Sequence, residues 1–190
     1  KALNNIEEMK KLAKQILTLD KLSDDLAVDA RLVLGNAAFS SSEYHLAAKH
    51  YNLIVEATSA DAGAEAKYQL TYILFLQDDL TGAEESVFQL AEYFSNDYFI
   101  AKGFILLADV YLAKGNLFQA KATLESVIEN HDGEELNALS KEKLQIILNL
   151  EESQNQDMKE EEIIIDLLED MDIDYESLME EEENIEEDEE

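Results

Sequence analysis

Three alanines, Ala47, Ala83 and Ala120, recur at spacings of 36 and 37 residues, each early in the second of two apolar-periodic segments. Self-similarity at such a period means that each copy is one supersecondary unit, which buries its apolar face only by stacking on its neighbours. The chain is thereby restricted to a linear array of similar units. Proline is absent and only six glycines are present, which favours long helices joined by short polar turns over sheets with Gly/Pro-rich hairpins.

The clearest copy is AKGFILLADVYLAKGNLFQAKATLESVIEN. Phe104, Leu107, Ala108 and Tyr111 follow i, i+3, i+4 and i+7 on one face of a first helix. Gly115 and Asn116 make the turn, and Leu117, Ala120, Leu124 and Val127 form the inner face of a second helix. Small residues at Ala108 and Ala120 allow the two helices to approach closely, where larger side chains would wedge them apart. In the first copy Leu34, Gly35 and Ala38 precede a Ser-rich turn, and Tyr44, Ala47, Tyr51 and Ile54 follow it, with Ser41 or Ser42 as the expected N-cap. The middle copy supplies Leu70, Thr71 and Leu74, then Leu80, Ala83, Val87 and Leu90.

These three register-matched copies resemble the tetratricopeptide repeat family over roughly residues 28–130, with Lys67 and Thr71 departing from the usual aromatic and small positions and no closing proline. The wording of the second and third copies is further similar to the C-terminal repeats of long, envelope-associated tetratricopeptide proteins of Bacteroidetes-type bacteria. The resemblance implies an all-α, right-handed superhelical solenoid of α-hairpins whose first helices line a concave groove. Carried over by family position, the groove residues are Asp29, Leu32, Asn36 and Phe39, then Glu65, Tyr68, Tyr72 and Phe75, then Lys102, Ile105, Asp109 and Leu112. Tyr68, Tyr72 and Phe75 form an aromatic stripe at i, i+4 and i+7, readable either as interface anchors or as core. Asn36, Lys102 and Asp109 would orient a bound peptide.

The flanks fit an array. Residues 1–27 read as the second helix of a truncated upstream repeat plus a linker, with Ile6, Met9, Leu12, Ala13, Ile16 and Leu17 at helical spacing. Residues 28–135 hold the three hairpins. Residues 136–155 read as a closing helix with Leu136, Leu139, Leu144, Ile147 and Leu148 turned inward, and Ser153–Gln156 as a polar break. Residues 156–190 form an acidic amphipathic or disordered tail, in which Ile164, Ile165, Leu168, Met171 and Tyr175 fall near one helical stripe.

Charge excludes several partners. The net charge is −30, and it is uneven: residues 1–150 carry 13 Lys or Arg against 23 acids, whereas residues 151–190 carry one Lys against 21 acids. Phosphate backbones are bound by neutralising them with Lys and Arg, so no nucleic-acid partner is expected. Nor is direct membrane insertion, because no apolar run approaches the roughly 20 residues of a span. With no cysteine, disulfides and thiolate metal sites are excluded.

Catalytic chemistry finds no foothold. His45 and His50 share a helix but stand about 500° apart around it, and His131 lies in a turn. Neither a metal nor a general base has convergent partners, and no phosphate-binding glycine loop is present. Asp170, Asp172, Asp174, Glu176 and Glu181 have the spacing of a calcium loop, but Tyr175 stands where its sharp turn needs glycine. No cofactor and no enzymatic activity are expected.

The sequence therefore points to a scaffold or adaptor subunit of a multi-protein complex, binding a protein or peptide through the groove, the tail, or both. The tail is expected to fold on a partner, to dock on the chain's own groove, or to stay solvated and mostly disordered. The family resemblance implies a periplasmic or envelope-associated setting, the alternative being cytoplasmic. The competing function is an acidic holding chaperone or electrostatic mimic that neutralises a basic client.

Overall fold

The computed structural model describes residues 2–170, with side chains described over residues 6–153 and at Gln156. Eight helices and no strand occur among these residues: α1 (Ala2–Ile16), α2 (Asp24–Ser40), α3 (Tyr44–Ala57), α4 (Asp61–Leu76), α5 (Leu80–Tyr93), α6 (Asp97–Ala113), α7 (Leu117–Asn130) and α8 (Glu134–Asp170). Two compact units are distinguished, the first ending at Leu144 and the second starting at Gln145. In the first unit, α1 through α7 pack mainly on their sequence neighbours, and the first helices α2, α4 and α6 also pack on one another in order.

The three turns are built alike. Ser42, Asp78 and Gly115 occupy the left-handed region, at φ of 60°, 62° and 72°. In each, the amide of the following residue donates to a carbonyl five residues back: Glu43 to Ala38, Asp79 to Leu74 and Asn116 to Tyr111. This arrangement satisfies carbonyls that a helix end leaves open, and it reverses the chain within three residues. Ser41 and Ser42 therefore belong to the exit of α2. Neither caps α3, as the sequence suggests; Glu43 stands at that position without a side-chain cap. Asp79 and Asn116 do cap their helices, accepting from the Gly82 and Gln119 amides at 2.9 and 3.1 Å. The step from a 36- to a 37-residue spacing arises because α4, at 16 residues, is one shorter than α6.

The core follows the repeat. Ala47, Ala83 and Ala120 are wholly buried. Opposite them the hairpins differ. A Cβ on Gly35 would stand 2.7 Å from Tyr51 Cε1, so the missing side chain makes room for the Tyr51 ring. The Tyr51 hydroxyl donates to Asn36 Oδ1 at 2.7 Å. In the middle hairpin, Thr71 and Ser86 are buried and share a hydroxyl–hydroxyl hydrogen bond of 2.7 Å between α4 and α5. Thr71, out of place by family pattern, is thus a satisfied buried polar residue.

The closing element departs from its expected form. Helix α8 starts at Glu134 and runs without interruption to Asp170, through Ser153–Gln156. Ser153 Oγ instead donates to the Asn149 carbonyl, one turn back, a bond that lets a polar side chain sit within a helix. Leu136 and Ile147 are buried, but Leu139 is exposed. Of the tail residues singled out, Ile164, Ile165 and Leu168 fall on α8 where side chains are not described, and Met171 and Tyr175 lie outside the described residues. Among the described residues no helix is long and apolar enough to cross a membrane.

Candidate functional site

The first helices share a face on which aromatic rings run from one hairpin to the next. Phe39 on α2 lies 5.8 Å from Tyr72 on α4, centroid to centroid. Tyr72 stacks at near-parallel angles on Tyr68 and Phe75 of its own helix, at 6.3 and 6.4 Å. Tyr68 then meets Phe99 on α6 at 6.2 Å, and Phe99 meets Tyr98 edge-on at 5.3 Å. At the other end Tyr44, the first residue of α3, lies 5.6 Å from Phe39. Ring pairs at such separations contribute about 0.5–1.5 kcal/mol each beyond their buried area, so the run holds adjacent hairpins together while presenting an apolar strip.

A cation lies over this strip. Lys102 Nζ stands 4.6 Å from the Tyr68 ring centroid and 5.8 Å from that of Tyr98, within the range of attraction by the ring faces. Burial, followed by the charges of Tyr72, Asp109 and Tyr98, pushes the Tyr68 hydroxyl up to about 12, so it stays protonated at neutral pH. Farther along α6, Asp109 Oδ1 accepts from Lys143 Nζ of α8 at 2.6 Å.

The structure sorts the residues expected in the groove. Phe39, Tyr72 and Phe75 are half-buried rings along the strip, with Lys102 beside them. Tyr68 and Ile105 are only 8 % and 3 % exposed and belong to the core; Ile105 has almost no surface to offer a ligand. Asn36 is exposed, but its carboxamide is engaged by Tyr51, and it borders a slot with Ile6, Met9 and Val33. Asp109 is held by Lys143 rather than free to orient a peptide. Tyr44, Tyr98, Phe99 and Lys143 fall outside the family positions carried over. Tyr98 and Phe99 could be found in the sequence as a ring pair in the first turn of α6, two and three residues after its cap Asn96.

The histidines stay separate. His45 is exposed. His50 is half-buried with Nδ1 unpartnered, and burial, then Lys49, Arg31 and Lys14, hold its imidazole below the ordinary histidine range. His131 caps the end of α7. Among the described residues no group of three or more His, Cys, Asp or Glu side chains is placed to hold a metal ion. No family model matches the chain, and no curated protein matches it.

Proposed function

We propose that this chain is a non-catalytic interaction scaffold: a tetratricopeptide-type solenoid that holds a peptide or a subunit of a multi-protein complex against the face of its first helices. The aromatic run from Phe39 through Tyr72 and Tyr68 to Phe99, overlaid by Lys102, is the observation that carries this reading. Aromatic side chains give large contact area at low entropic cost and are frequent anchors of protein interfaces. The half-buried rings of Phe39, Tyr72 and Phe75 retain surface for a partner, and Lys102 would take up an acidic or carbonyl group beside them. By family resemblance the setting is a bacterial envelope complex.

Co-purification from native cells, with the intact chain and with Phe39→Ala/Tyr72→Ala as bait, tests the scaffold. The intact chain is expected to retain a partner that the double variant loses, both proteins having the same helical circular dichroism. An identical set of partners would overturn the role of the aromatic face. Salt separates the competing reading, which draws on the 21 acids of residues 151–190. A groove binder keeps most of its affinity between 0.05 and about 0.5 M salt, whereas an acidic holding chaperone loses most of it.

A further inference from the structure

The junction between α7 and α8 holds the one Asp–Gly pair of the sequence, Asp132–Gly133, and the sequence has no Asn–Gly pair. An aspartyl side chain can close on the amide nitrogen of the next residue to give a five-membered imide. In most settings the next side chain hinders that approach, or a helix fixes the backbone; glycine allows it. Asp24, Asp61 and Asp97 show the ordinary case, since they open α2, α4 and α6 and are followed by Asp25, Ala62 and Tyr98. Residues 131–133 instead lie in no helix, and Asp132 is exposed. The structure adds a third participant. A Cβ on Gly133 would collide with His131 Nε2 and stand 3.2 and 3.3 Å from its Cδ2 and Cε1. The imidazole therefore rests against Gly133, in the space that any other side chain would fill. Its backbone is fixed there: His131 is extended, at φ −107° and ψ 129°, and its carbonyl accepts from Asn137 Nδ2 at 2.6 Å. The Gly133 carbonyl accepts from the Asn137 amide at 3.1 Å.

An imidazole nitrogen at the Cα beside the reacting amide is placed to take its proton, directly or through one water. We propose that Asp132–Gly133 is a self-modification site, at which the chain converts Asp132 to isoaspartate with His131 as the base. The carboxyl group reacts in its acid form. The Gly133 nitrogen bonds to Asp132 Cγ, and the amide proton passes by way of His131 Nε2 to the carboxyl hydroxyl, which leaves as water. Water then adds to the main-chain carbonyl carbon of the imide, and the bond from that carbon to nitrogen breaks. The chain now runs through Cγ, with its composition unchanged and nothing oxidised or reduced. This is a single event in the chain itself, not turnover of a substrate. The product carries one more main-chain atom between the two carbonyls that Asn137 grips, so at least one of those hydrogen bonds is lost and the first turn of α8 loosens.

Incubation of the full chain for several weeks in neutral buffer, beside a free peptide of residues 128–136, tests the site. Peptide mapping with electron-transfer fragmentation reads isoaspartate at each aspartate. The full chain is expected to accumulate it at position 132 faster than the free peptide does, and not at Asp61 or Asp97. His131→Gln should slow the full chain about tenfold, less than the roughly 10²–10⁴ that a positioned base gives an enzyme, and should leave the free peptide unchanged. Asp132→Glu, whose longer side chain closes a less favoured six-membered ring, should stay unmodified. Hydrogen exchange should find the Leu136 and Asn137 amides less protected in aged than in fresh chain, and unchanged with age in Asp132→Glu. The proposal is overturned if the folded chain reacts more slowly than the peptide. It is also overturned if His131→Gln, with its helical circular dichroism intact, reacts at the original rate, or if that substitution slows peptide and chain alike.

Discussion

At the scale of single residues, the repeat is kept by alanine and varied by whatever faces it. Gly35 is the sharpest case, because the Tyr51 ring occupies the volume that any side chain there would need. Overpacking of this kind costs about 1–3 kcal/mol, and the ring is pinned by its hydrogen bond to Asn36. Gly35→Ala is therefore expected to lower stability by roughly that amount in urea denaturation, and Gly35→Ala/Tyr51→Val to recover most of it. Failure of the second substitution to rescue the first would show that the glycine is required for another reason. The alanine register was legible in the sequence because a wholly buried small residue recurs wherever two helices touch. The pairing of Gly35 with Tyr51 was not, since the two are separated by a turn and their sizes compensate only in three dimensions. Thr71 was misleading for a related reason: its hydroxyl looks out of place until Ser86 is set opposite it.

Among helices, α1 differs from the rest. Ile6, Met9 and Leu12 are 42 %, 46 % and 58 % exposed, and Ala13 is the one buried residue among the described side chains of α1. A helix of 15 residues has little stability of its own in water and depends on the face it buries. Hydrogen exchange should accordingly find the α1 amides exchanging well before those of α4 and α6, whose inner faces are buried. Equal protection across the three helices would contradict this account. The sequence showed that α1 has an apolar stripe but not that Ile6, Met9 and Leu12 stay largely exposed while Ala13, Ile16 and Leu17 pack on α2. It also led to a break at Ser153–Gln156, because four polar residues in succession look like a loop. The helix continues there, since side chains such as Ser153 bond back to the turn before and leave the backbone ladder intact.

For the whole chain, the charge of −30 opposes compaction by self-repulsion. Added salt screens that repulsion over a Debye length of about 10 Å at 0.1 M. The thermal midpoint of the full chain is therefore expected to rise as sodium chloride is raised from about 10 to 300 mM, and a midpoint that falls would mean that attractive ion pairs outweigh the repulsion. The ion pairs Lys114–Glu84 and Lys143–Asp109 are partly exposed and contribute at most about 1 kcal/mol each, so repulsion should dominate. The all-helical class was legible in the sequence, because period and turn chemistry agree. The candidate site was legible only in part. Tyr72, Phe39 and Lys102 follow from family position, but the run into Phe99 appears only when helices from different hairpins are set side by side.

The unequal partners at the hairpin interfaces carry a further consequence for assembly. Three similar hairpins in one chain invite mispairing, in which a first helix takes the second helix of another unit or another molecule. Here α2 accepts a tyrosine because it offers a glycine, whereas α4 and α6 offer Thr71 and Ala108 at the same register. Docking α3 on either of them would drive the Tyr51 ring into a side chain, and docking α5 or α7 on α2 would leave a void beside Gly35. The mismatch in size favours the native pairing of α2 with α3, and so guards the chain against docking that pair out of register while it folds.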